Sequence, residues 1–100
     1  MTPQSDPSQR IFELPAVLDF RAATPLAEAL LALRGTALTI DASRVERIGG
    51  QCLQVLLSAQ KTWSADDAAL SFTNLTPALV EGLRLMGIAE ADLAREEMAQ

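Results

Sequence analysis

The side chains able to do chemistry in this 100-residue chain are few and scattered. Cys52 is the one cysteine, and histidine is absent. The commonest general base and the commonest metal ligand are therefore missing. No Cys–His or Ser–His nucleophile can be assembled, and nothing has the spacing of a zinc site. A lone cysteine also allows no internal disulfide. The residues predict no catalytic group, no metal site and no cofactor.

What remains is a stretch able to contact something else. "VERIGGQCLQVLLSAQKTW" (45–63) joins two glycines directly to an apolar helical run. Helices usually start on Ser, Thr, Asp or Asn, whose side-chain oxygen satisfies a free amide of the first turn. Gly49 and Gly50 offer none, and Gln51 is the first polar side chain. Three readings are open. A side-chain-free surface lets a partner backbone approach closely. A tight turn needs positive φ. A helix start can also cradle an anion, although no lysine adjoins the glycines and the phosphate-loop spacing is missing.

Further along, Gln54, Ser58 and Lys61 continue the row begun by Gln51 along the side of the helix facing away from its leucines. They are either a surface that a partner reads or an ordinary solvated face. Asp41 and Ser43 close the preceding apolar run. They supply a polar rim beside the helix start, or a turn capped by the aspartate. Cys52 is a thiol activated by a helix terminus or a small buried hydrophobe. Trp63 is a partner anchor or a cover for the core.

These residues have to be positioned by a small fold. With 49% hydrophobic and 21% charged residues, the composition is that of a globular domain. The net charge of −5 and the scattered basic residues argue against nucleic acid as a partner. No apolar run approaches the roughly 20 residues that span a bilayer. The first ten residues lack the basic and apolar regions of a signal peptide. A cytoplasmic protein without direct membrane insertion is expected.

Residues 1–9, with two prolines and two serines, read as a loose tail, and residues 10–100 as one domain. "RIFEL" (10–14) alternates with Phe12 and Leu14 toward the core, and "AVLDF" reads as the second strand of a hairpin after Pro15. "TPLAEALLALRG" is a helix with Thr24 as cap, Pro25 at its first position and Gly35 at its stop. "ALTID" is a strand, residues 51–65 a second helix, and "ALSFT" another strand. "TPALVEGLRLMG" is a third helix capped by Thr76, with Leu79, Leu83 and Met86 on its core face. "EADLAREEMAQ" is compatible with a last helical piece. This order predicts an α/β fold, a four- to five-stranded mixed sheet with helices mainly on one face.

Three stretches resemble the STAS domain family in order and spacing. They are "LTIDASRVERI" (38–48), "CLQVLLSA" (52–59) and "LTPALVEGLRLMGI" (75–88). The resemblance implies a non-enzymatic regulatory module of the anti-sigma factor antagonist type. In that family the loop before the second helix carries a hydroxyl residue phosphorylated by a partner kinase. Matched on Ile48 and Leu53, that position is Gly50, which cannot accept a phosphoryl group. "DASRVERIGGQCLQVLLSA" is also similar to a chemotaxis-associated subgroup. The partner implied is a protein: a signalling kinase, an anti-sigma-like protein, or the ATPase of a lipid transporter that carries a STAS subunit. A nucleotide or small-molecule ligand is a further alternative. A monomer or weak homodimer is expected. The binding residues expected from this reading are Asp41, Ser43, Gly49, Gly50, Gln51, Gln54, Ser58 and Lys61.

Overall fold

The computed structural model describes residues 9–88. The expected tail up to residue 8 and the expected helical piece at 90–100 lie outside them. The elements are β1 (Gln9–Glu13), β2 (Val17–Leu18), a 3-10 turn (Phe20–Ala22), α1 (Ala23–Leu31), β3 (Ala37–Asp41), β4 (Arg47–Ile48), α2 (Gly50–Ala65), β5 (Leu70–Thr73) and α3 (Pro77–Leu85). Gln9 therefore belongs to the first strand rather than to the tail.

Five strands form: the four read from the sequence pattern and the two-residue β4, which that pattern did not announce, and they pair differently from the expectation. β1, β3 and β5 make one sheet in the order β1-β3-β5, and β2 pairs separately with β4. Every one of these pairings is parallel. The expected hairpin between β1 and β2 is corrected. The chain leaves the sheet at Pro15, where no amide is available to continue a ladder. Ala16 then offers its carbonyl to the amides of Glu46 and Arg47, 2.8 and 3.1 Å away. A two-residue strand thus pairs with the far end of the β3–β4 connection rather than with its own neighbour.

The sheet has one buried face. Leu38 and Ile40 of β3 and Leu70 and Phe72 of β5 alternate with half-buried residues, so only one side of each strand enters the core. Leu38 pairs with Leu70 and Ile40 with Phe72, so the apolar side chains stand in register. Leu26 and Leu30 from α1, five residues of α2, and Leu79 and Leu83 from α3 complete a single cluster.

On α2 the buried stripe is Cys52, Leu53, Leu56, Ala59 and Trp63. Leu57 and Gln60, beside this stripe, are only half-buried, so the helix is turned toward its Cys52–Trp63 side. Trp63 is 1% exposed and donates its indole N–H to the Thr36 carbonyl at 2.7 Å. The core reading of Trp63 is the one the fold realises.

α1 starts earlier than expected. Asp19 accepts the Arg21 amide at 3.0 Å and caps the 3-10 turn that runs into α1, so Thr24 lies inside the helix. Gly35 and Gly87, expected at the ends of α1 and α3, have φ of +89° and +77°, the left-handed region that favours glycine.

Candidate functional site

The site is built where β4 hands the chain to α2. Gly49 is extended, with φ −99° and ψ 172°, and is the N-cap of α2 without any side-chain cap. Its amide donates to the Leu18 carbonyl at 2.9 Å, and its carbonyl accepts the Leu53 amide at 3.1 Å. The backbone is thus held on both sides by the β2–β4 ladder and the first helical bond. Neither Gly49 nor Gly50 has positive φ, so the tight-turn reading fails.

What the glycines provide is the absence of side chains on an exposed helix start. A Cβ at Gly49 would meet nothing closer than the Leu18 carbonyl oxygen, 3.8 Å away. One at Gly50 would lie 3.2 Å from the Met86 thioether sulfur. Gly49, Gly50 and Gln51 are exposed, so the first amides of α2 face water with no acidic side chain in the first turn.

Gly50, Gln54, Ser58 and Lys61 recur at intervals of three and four residues, so they share one face of α2. Gln51 stands beside them, and all five are exposed. Asp41 and Ser43 do not join this stripe. Asp41 Oδ1 accepts the Ser43 amide at 2.9 Å and the Asn74 side-chain amide at 3.2 Å. The Ser43 amide above all, and then Asn74, hold the Asp41 carboxyl below its ordinary pKa. Asp41 is therefore the clasp of the turn after β3 and ties it to the turn after β5, where Asn74 adopts a φ of 58°.

Cys52 is fully buried, and its thiol donates to the Asp19 carbonyl at 3.3 Å. Burial, helped by the Asp19 charge, pushes the thiol pKa up. The helix terminus would lower it, but desolvation wins. Cys52 is a packed hydrophobe rather than an activated thiol.

α3 supports the site from behind. Thr76 accepts the Leu79 amide at 3.2 Å and donates its hydroxyl to the Val45 carbonyl at 2.8 Å, pinning the start of α3 to the β3–β4 loop. Gly82 lets α3 press on β4, since a Cβ there would lie 3.0 Å from Ile48 Cγ2. Met86, expected in the core, is 38% exposed. α3 ends one residue earlier, and Met86 lays its sulfur beside Gly50 instead.

Sequence reasoning missed Met86, and also Phe20. Phe20 is 72% exposed in the 3-10 turn that packs on α2. The signal for Met86 was present, since Gly87 ends the helix one residue later and frees the preceding side chain from the core.

A family model described as "Mlab, STAS domain" matches residues 1–95. The chain belongs to the STAS domain family. No curated protein matches the chain. STAS domains are in general regulatory or binding modules rather than enzymes. Among the described residues of this STAS domain, no group of three or more His, Cys, Asp or Glu could hold a metal ion. No helix among them is long and apolar enough to cross a membrane.

Proposed function

We propose that this STAS domain is a non-enzymatic bacterial signalling module that binds a protein partner through the start of α2 and the face continuing from it. The observation that carries this reading is the bare, water-facing helix start at Gly49 and Gly50. Both glycines have backbone angles any residue could adopt, so the fold does not require glycine there. Absence of side chains is then best explained by what must approach. The Gln54–Ser58–Lys61 stripe extends the same surface, and Met86 supplies an apolar side chain beside Gly50.

Position 50 carries no hydroxyl, and neither do Gly49 and Gln51. The module therefore contacts its partner without control by phosphorylation at that position. The similarity of residues 41–59 to the chemotaxis-associated subgroup favours a chemotaxis signalling protein as the partner. Asp41 and Ser43 contribute by shaping the neighbouring turn rather than by contact.

Affinity capture from the native cell with wild-type, Gly50→Arg and Gln54→Arg proteins tests this. Both variants lose the captured partner while keeping the wild-type melting temperature. Undiminished capture by both would remove this surface from consideration. Recovery of a transporter ATPase in place of a signalling protein would transfer the module to transport.

A further inference from the structure

A second surface lies beside the first, between α1 and α2. The two helices run in the same direction. The turn before α1 touches the first turn of α2 through Asp19 and Cys52, and beyond their far ends Arg34 clasps Asp66 by two bonds of 2.7 and 3.1 Å. The helices leave an open groove of about 270 Å³ between them. Leu30, Val55, Ala59 and Trp63 line it, and Leu31 stands on its α1 wall with 56% of its surface exposed. A leucine left this open beside an apolar groove is an unfinished contact.

The charges at the rims say what finishes it. Glu28, one turn before Leu31, is exposed on the α1 side. Lys61, three residues after the groove-lining Ser58, is exposed on the α2 side and is the only charged residue of that helix. Neither makes an ion pair among the described residues. Counting back from the Arg34–Asp66 clasp, the two stand at nearly the same height across the groove.

One rim is negative and the other positive, so the face is complementary to itself. A two-fold axis along the groove exchanges the α1 rim of one copy for the α2 rim of the other. It pairs Glu28 with Lys61 of the second copy twice over, as an isologous interface requires. It also brings each Leu31 over the partner's α2 wall.

We propose that the α1–α2 groove is a homodimer interface in which each copy inserts Leu31 into the groove of the other, with Glu28 and Lys61 setting the register. The leucines supply the attraction. The rim pairs are solvent-exposed and supply orientation more than affinity. Gln54, Ser58 and Lys61 belong to this face as well as to the proposed partner surface, so dimer and complex compete. The proposal itself does not depend on that partner.

Sedimentation equilibrium on the purified full chain, from micromolar to millimolar protein, reads the result without a partner. The average mass rises from 10.7 kDa toward twice that value in the wild type. Leu31→Glu stays at 10.7 kDa at every concentration, with an unchanged melting temperature as the control for folding. Glu28→Lys and Lys61→Glu each weaken association severalfold, and the two together restore it. A wild type that remains monomeric throughout would overturn the proposal. So would a Leu31→Glu protein that still dimerises. Failure of the double variant to recover would overturn the two-fold arrangement.

Discussion

The two ends of α2 are made in opposite ways. At its C-terminal end Trp63 is buried to 1% and hydrogen-bonded to Thr36, and Asp66, just beyond, is gripped by Arg34. At its N-terminal end two glycines stand in water with no cap. The far end is anchored by side-chain hydrogen bonds, whereas the two glycines are held through their backbone, by Leu18 and the β2–β4 ladder, with Cys52 and Leu53 packed in the core behind them. The contrast separates the part of the helix that stabilises the domain from the part left available. It also fixes the orientation of the available part, because a helix anchored at one end presents a rigid start at the other.

The largest test of this contrast is Trp63→Ala. It removes a fully buried ring and leaves the Thr36 carbonyl without its donor, and should cost about 3–5 kcal/mol in denaturant unfolding. A loss below about 1 kcal/mol would mean that the anchored end is not where the stability lies. Next comes Gly82→Ala, which probes the wall behind the bare end. The new methyl meets Ile48 Cγ2 at 3.0 Å on a stiff β-branched side chain. Overpacking costs about 1–3 kcal/mol, and helix propensity returns about 1 kcal/mol, for a net loss measurable by thermal unfolding.

Acid gives a smaller effect. The Arg34 hydrogen bond lowers the Asp66 pKa, and the Ser43 amide lowers that of Asp41. A carboxyl with a depressed folded pKa stabilises above its unfolded value of about 4 and loses that contribution as pH falls through the folded value. These groups therefore make stability flat from neutral pH to about 5 and falling below about 4. Asp66→Asn should flatten the acid limb in a pH series of urea midpoints by lowering the neutral plateau, because the contribution that acid removes from the wild type is then absent at every pH.

Smallest of all is Gly50→Ala. Its Cβ meets only the end of a flexible Met86 side chain, so stability should change by less than about 0.5 kcal/mol. A large loss there would show that the bare start is structural after all.

Local chemistry made much of this legible in the sequence. Thr76, Pro77 and Gly87 bound α3 as their cap preferences require, and Gly35 ends the turn after α1. The alternation of Leu38 with Ile40 and of Leu70 with Phe72 marked the buried sheet face. The misses arose where distant parts decide. Thr24 has a capping side chain, but Asp19 had already turned the chain, so the helix was under way. β2 looked like a hairpin strand because nothing local announces that its partner is β4, about 30 residues on. Positive φ was one of the readings open for Gly49 and Gly50, and the extended and helical backbone there refutes it. The exposure of Gln51, Gln54, Ser58 and Lys61 followed correctly from the helical period. The turn closed by Asp41 and Ser43 was one of the two readings the sequence offered, but its tie to Asn74, 33 residues from Asp41, was not legible there.

The central claim is that the bare end of α2 is the contact surface. Amide hydrogen exchange on the complex with the captured partner tests it most directly. Binding should slow exchange at Gly49 to Gln54 and leave Trp63 to Asp66 as they are in the free domain. Protection confined to the Trp63 end, or to the β3–β5 sheet, would contradict it.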